Sequence, residues 1–283
     1  MWGVFIKEKY LIVNADDLGL DSNINKGIAQ CCRQGIVRSV SIVAGGRKFD
    51  EALVLMKDLP AVGIGVHLCL VEEKPVLSAT AVSTLVDAQG KFPRDYRHFI
   101  FKLVMGKIRL SEAELEFEAQ IRKVLDSGIK PTHLDAHQYL HLLPGVLEIV
   151  LRMAVKYDIK WIRYPSGIKN TDGFMRKGAV KKAWIAFHDA PAAQKIAESG
   201  LRRPDHSYGA DTTGHLNKAA LLSHLRHIVD GTNDLTCHPG RRPEDPLYLA
   251  WHYQWEEEMK ALSDPEVAAA VNSLKIRLGN YAY

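Results

Sequence analysis

The sequence predicts an α/β fold that closes as one barrel of about seven parallel strands. Two observations carry this expectation. Short apolar runs of β type alternate with longer amphipathic helical patterns along the whole chain, the rhythm of successive βα units. No Pro/Gly-rich linker interrupts the alternation, so 283 residues read as a single domain, 1–283, rather than two.

Each element follows from its local pattern. Residues 10–15 (YLIVNA) form the first strand. Asp21 or Ser22 caps a helix over 22–34, and Gly35 stops it. A strand at 38–44, a helix at 49–58 and a strand at 62–68 follow. Ser111 opens a helix as S-E-A-E, a capping box with Glu114, that runs to about residue 127. The pattern then gives a strand at 132–136, a helix at 145–157, a strand at 160–164 and a helical region within 175–199. A strand at 206–210, a helix at 217–229, a strand at 234–238 and two closing helices near 247–262 and 264–275 complete the chain. Residues 91–110 stand apart as a basic amphipathic insertion, with six lysines and arginines, one aspartate and a cluster of bulky apolar side chains. Such a segment can pack on the barrel, lie on a membrane surface or grip an apolar ligand.

Composition excludes several classes. With 37 basic and 33 acidic side chains the net charge is +4, and 47% of residues are hydrophobic, which excludes a disordered or collagenous chain. That charge is too mild to imply nucleic acid, which calls for a dense basic stripe. Cys31, Cys32, Cys69 and Cys237 lack paired spacing, so they read as buried reduced thiols rather than disulfides or a zinc ribbon. There is no signal-peptide pattern at residues 1–10 and no apolar run of the roughly 18 residues that would cross a bilayer. The expectation is a cytoplasmic protein, with peripheral membrane contact left open through 91–110. The closing aromatics Trp251, Tyr253 and Trp255 could form a homodimer face, but an aromatic helix is more often core or a site wall.

Chemistry concentrates at expected strand ends. Asp16 and Asp17 close the first strand; two adjacent carboxylates repel unless a cation or proton is shared, which suggests a metal ligand beside a general base. His67 ends the GIGVHL strand, and in THLDAHQYLH the period of two puts His133, Asp135 and His137 on one face. Strand ends converge at one rim of such a barrel. There Asp17, His67 and His137 supply a carboxylate and two imidazoles, a set that leaves a coordination position open for water. His238, in CHPG, could protonate a leaving group, and Arg163 could orient Asp16 through a charge-assisted hydrogen bond.

The ordered set IVNADDLGL, GIGVHLCL, THLDAHQYLH and HPG resembles the YdjC family of carbohydrate deacetylases, and it spans residues 11–240. Residues 75–93 and the GLRRPDHSYG segment are most similar to the hopanoid-biosynthesis-associated branch of that family. The resemblance implies a distorted (β/α), TIM-barrel-like fold, one divalent metal ion, and removal of the acetyl group from an N-acetylated amino sugar. It implies Asp17, His67 and His137 as metal ligands, Asp16 as base and His238 as acid. The commonest family form has Phe where this chain has Leu18, and some members have His in place of Tyr139. A His2Asp set suits zinc, cobalt or nickel, whereas the oxygen-rich surroundings of Asp16, Asp17 and Asp135 also suit magnesium. The substrate expected is an N-acetylglucosamine glycolipid, such as an acetylglucosaminyl hopanoid, or a chito-oligosaccharide. Because fold alone does not set the reaction, a metal-dependent sugar isomerase or phosphoesterase and a non-catalytic carbohydrate-binding protein are the alternatives.

Overall fold

The computed structural model describes residues 8–165 and 190–283. Seven strands, β1 (Lys9–Leu18), β2 (Ser39–Ile42), β3 (Gly63–Leu68), β4 (His133–Ala136), β5 (Trp161–Ile162), β6 (His206–Tyr208) and β7 (Gly231–Cys237), run parallel in the spatial order β5-β4-β3-β2-β1-β7-β6. The sheet curls until the chain leading into β6 bridges back to β5 at Trp161 and Arg202, through Ile162 N–H to Arg202 O at 2.9 Å. A ring closed by one bridge and two very short strands is a distorted (β/α) barrel, as the alternation of elements predicts. An eighth strand, β8 (Arg277–Gly279), went unforeseen: it pairs with β1 at Tyr10–Ile12, below the point where β2 begins. Three residues carry too little pattern to be read as a strand.

Helices cover the outside of the ring: α1 (Ser22–Gln34), α2 (Phe49–Met56), α3 (Tyr96–Val104), α4 (Leu110–Asp126), α5 (Val146–Lys156), α6 (190–198), α7 (Lys218–Arg226), α8 (Pro246–Leu249), α9 (Trp255–Leu262) and α10 (Pro265–Ser273). The part of the expected 175–199 helix before residue 190 lies outside the described residues. Asp21, rather than Ser22, caps α1, its carboxylate accepting from Asn23 N–H at 2.7 Å and Ile24 N–H. All four cysteines are free and buried, and burial pushes the Cys31 and Cys32 thiols up to about 12.

Two expectations fail at helix starts and breaks. Ser111 does not cap α4, which begins at Leu110 with no side-chain cap. Its first turn is held instead by Glu112, which accepts from Thr84 N–H at 2.7 Å, while Glu114 turns outward to pair with Arg152 at 2.8 Å. The helix expected at 247–262 is two helices, because Asp245 and Pro246 start α8 and His252 takes a left-handed φ of 56° in the break before α9.

Strand alternation divides the interior into two layers. Leu11, Val13 and Ala15 of β1 face the helices and join the main apolar core. Tyr10 and Ile12 face the barrel axis, where with Trp161 and Tyr281 they form a separate cluster that plugs the end of the barrel at the strand N-termini. Tyr281 stacks on His133 with ring centroids 4.0 Å apart, and Gly65 makes room for that imidazole, since a Cβ there would lie 2.2 Å from His133 Cε1. Above the plug the axis turns polar, through Asn14, Ser41, Asp135, Arg163 and Asp234.

Asp234 gives this layer a pH signature. Burial dominates and drives its carboxyl up to about 7, against Arg163 and the Tyr281 hydroxyl, which donates to it at 2.7 Å, and with Asp16 and Asp135 adding repulsion. The folded state then binds a proton that the unfolded chain releases near pH 4, so the contribution of this group to stability falls as pH rises from about 4 through about 7. Asp234→Asn should therefore gain urea resistance relative to wild type at pH 8 and gain less at pH 5. An equal difference at both values would assign the proton elsewhere.

Candidate metal and catalytic site

The C-terminal ends of the strands bring the sequence-identified residues to one point. β1 does not stop at residue 15 but continues through both carboxylates to Leu18, and its register against β2 slips between Ala15 and Leu18. Asp17 in this bulge has φ 70°. In a regular strand consecutive side chains point to opposite faces; the bulge with its left-handed residue turns Asp16 and Asp17 to the same pocket. Aspartate tolerates this conformation better than a β-branched residue would. His67 lies in β3, His137 directly follows β4, Arg163 directly follows β5 and His238 directly follows β7.

Arg163 organises the floor. Among the described residues it is the one lysine or arginine that is buried, and it holds two carboxylates. Its guanidinium forks onto both oxygens of Asp16, with Nη2 to Oδ2 at 2.7 Å, and reaches Asp135 Oδ2 at 2.9 Å. Asn14 donates to Asp16 Oδ1 at 2.8 Å and Ser41 donates to Asp135 Oδ2 at 2.6 Å, so both acids are fixed from two sides. Burial opposes ionisation of Asp135, but Arg163 and His67 outweigh it and hold the carboxyl well below its ordinary range.

Carboxylates also set the tautomers of the two imidazoles. His67 Nδ1 lies 2.7 Å from Asp135 Oδ1 and His137 Nε2 lies 2.8 Å from Glu72 Oε2, contacts in which each ring nitrogen donates to a carboxyl oxygen. In the neutral rings that leaves the lone pairs on His67 Nε2 and His137 Nδ1, which lie 3.8 and 3.2 Å from Asp17 Oδ1. Three electron-rich atoms thus face one another. With those rings neutral, Asp17 Oδ1 and Oδ2 are buried and accept no hydrogen bond, so this carboxylate lacks the partner that burial normally demands unless His137 takes a second proton or a cation lies between them. Burial would raise the Asp17 carboxyl, yet His137, His238 and His67 lower it to about 2; Asp17 and Glu72 likewise overcome burial to raise His137 to about 10. The field calls for positive charge between these atoms. Asp17, His67 and His137 could hold a metal ion there, and the orphaned carboxylate and two carboxylate-oriented imidazoles suit a divalent cation.

Beside this set runs a cleft of 780 Å³, lined at its inner end by Asp16, His67, His137, Arg163 and His238. His238 Nε2 stands 3.9 Å and His67 Nε2 4.0 Å from Asp16 Oδ2, too far for direct hydrogen bonds, so Asp16 Oδ2 faces both rings across the cleft without being tied to either. Tyr253 packs edge-on against His238, and Trp251 lies beside the His137 ring and donates to Glu72 Oε1 at 3.1 Å. The closing aromatics are thus spent on the site wall and core: Trp255 is buried.

A YdjC-like protein family model matches residues 10–273. The chain belongs to the YdjC-like family. Proteins named carbohydrate deacetylase are similar over nearly the whole length: that of Brevibacillus brevis is 37% identical over 277 residues, 96% of this chain and 98% of the relative. That of Thermoanaerobacter pseudethanolicus is 31% identical over 275 residues, 97% and 98% of the two chains. A crystal structure from Enterococcus faecalis V583, of a protein named for cellobiose-phosphate cleavage, superposes with a TM-score of 0.75 at 26% identity, covering 97% of this chain and 98% of that one.

All six sequence-identified residues of this YdjC-like chain, Asp16, Asp17, His67, His137, Arg163 and His238, converge on the pocket. Sequence reasoning missed Glu72. Alternation placed Asp135 on the inward face with His133 and among the oxygen-rich surroundings of the site, but not its part in orienting His67. Glu72 comes from an irregular loop with φ 67°, and no spacing rule connects it to His137, 65 positions away. His133 and His141 prove to be core residues: burial lowers both, His141 to about 4, and the His141 ring contacts Arg163 O at 2.9 Å.

These contacts predict a graded response in metal binding. His67→Ala and His137→Ala should each lose stoichiometric metal. Asp135→Asn and Glu72→Gln, which remove only the orienting carboxylates, should weaken affinity by about 10–100-fold. Chelator competition measures both effects, and wild-type affinity in Asp135→Asn would disprove the orienting role.

Proposed function

We propose that this protein is a metal-dependent hydrolase that removes the acetyl group of an N-acetylated amino sugar, releasing acetate. The observation that carries the reading is the open Asp17–His67–His137 pocket with Asp16 and His238 at its edge, at the inner end of a cleft. The names of the two curated relatives support it.

A divalent metal held by Asp17, His67 and His137 supplies Lewis acidity there, lowering the pKa of water and stabilising negative charge on the carbonyl oxygen. Asp16 takes the proton from the attacking water, its direction fixed by the Arg163 fork and Asn14. His238 gives a proton to the departing amine; its backbone N–H donates to Glu258 at 2.6 Å, which anchors the turn that carries it. Arg163 touches Asp16 and acts through it.

The cleft also supports a finer substrate reading. Its lining also includes Ile100, Leu140, Leu142 and Leu143, apolar side chains with no use for a free sugar but suited to an apolar aglycone. An N-acetylglucosamine glycolipid, such as an acetylglucosaminyl hopanoid, fits this division better than a chito-oligosaccharide.

Acetate release tests both levels. Wild-type enzyme should deacetylate a detergent-dispersed N-acetylglucosaminyl lipid faster than chitobiose, and a chelator should stop both. Asp16→Asn should lower turnover by roughly 10²–10⁴-fold with metal content unchanged. Normal turnover in that variant removes Asp16 from the mechanism, and the absence of acetate from every N-acetylated sugar refutes the activity.

A further inference from the structure

The helix that walls the cleft also carries the most concentrated apolar exposure on the described surface. Four of the eight exposed large hydrophobic residues among those described, Tyr96, Phe101, Val104 and Met105, fall within ten positions of the chain. Phe101, Val104 and Met105 are 60%, 79% and 55% exposed, and their spacing sets them on one side of α3 and its C-cap. The opposite side is firmly attached. Phe99 is fully buried, Asp95 caps the helix by accepting from His98 N–H at 2.9 Å, Lys102 donates to Thr84 O at 2.8 Å, and Gln138 accepts from Tyr96 N–H at 2.7 Å. The outward stripe is therefore held rigidly and is not a frayed end.

Charge around the stripe has one dominant sign. Residues 91–110 hold six lysines and arginines against Asp95 alone; Arg94 pairs with Asp95 and Arg109 with Glu112, and Lys91, Arg97 and Lys107 are exposed with no ion pair to a described carboxylate. Tyr96, Arg97 and Ile100 of the same helix line the cleft mouth, so apolar surface leads from inside the cleft to the outer face of the helix. An isolated apolar patch would fit a second copy of the chain as well; the basic border favours an anionic, apolar-cored partner instead.

We propose that α3 docks the protein on an anionic lipid bilayer, with Phe101, Val104 and Met105 entering the headgroup boundary and the basic residues contacting lipid phosphates. Docking there sets the cleft mouth at the membrane surface, where a glycolipid headgroup can enter without leaving the bilayer. No described helix is long and apolar enough to cross a membrane. The inference deepens the glycolipid reading and rests on it for its purpose. Binding to vesicles is read without turnover, so the two can fail separately.

The test is co-sedimentation of the full chain with vesicles of phosphatidylcholine alone and of phosphatidylcholine with phosphatidylglycerol, at low and high salt. Wild type should partition onto the anionic vesicles and release as salt rises. Val104→Asp with Met105→Asp should lower partitioning roughly tenfold or more, Lys107→Glu should lower it on anionic vesicles only, and Val54→Asp with Val155→Asp, exposed elsewhere, should leave it unchanged. Wild type that stays in solution overturns the proposal, as does equal binding by the α3 variants. A wild type that self-associates without lipid and ignores vesicles assigns the stripe to a second copy and also overturns it.

Discussion

Buried positive charge on Arg163 is the constraint from which the site follows. A guanidinium inside a barrel is tolerable only if its charge is compensated, and leaving either partner unpaired typically costs about 3–5 kcal/mol. Asp16 and Asp135 provide that compensation from different strands. Their orientation then propagates. Asp135, held on one oxygen by Arg163 and Ser41, presents the other to His67 and so decides which imidazole nitrogen faces the cleft. Asp16, held by the fork, is aimed at the space between His67 and His238. One buried cation therefore orients both the proposed base and one proposed metal ligand.

The rim adds a second device, local backbone irregularity at strand ends. Asp17 at φ 70°, Glu72 at φ 67°, and Gln138 and Tyr139 at φ 52° and 59° all lie beside the pocket. Each such residue costs of order 1–3 kcal/mol, and clusters of this kind persist where the surrounding structure over-determines them. Here regular strands deliver the inward column Asn14, Asp135 and Arg163, and the irregular residues turn Asp17, Glu72 and His137 onto the same point. The carboxylate that results is buried without a hydrogen-bond donor, an arrangement that costs stability unless a cation shares it.

The legible and illegible parts of the molecule divide along the same line. Strand order of appearance, the outer helices and the convergence of Asp17, His67, His137 and His238 follow from periodicity and from barrel geometry, because those features repeat over many residues. The Ser111 cap failed because α4 starts one residue earlier, at Leu110, which puts Ser111 inside the helix, while Thr84, remote in sequence, ties the first turn through Glu112. The three-residue β8 and the role of Glu72 depend on single residues meeting across long separations, which no local pattern records, whereas the split between α8 and α9 turns on Pro246 and the left-handed His252. The insertion at 91–110 was legible as amphipathic; only its placement shows that one side packs under Phe99 while the other stays outside.

The central claim is that Asp17, His67 Nε2 and His137 Nδ1 converge on one divalent cation, with Asp16 and Asp135 held back by Arg163. Anomalous scattering from a crystal grown or soaked with zinc measures this directly. The account predicts one strong peak about 2.0–2.2 Å from those three ligand atoms, with Asp16 still on Arg163. A peak held instead by Asp16 and Asp135, with Asp17 unbound, would contradict it.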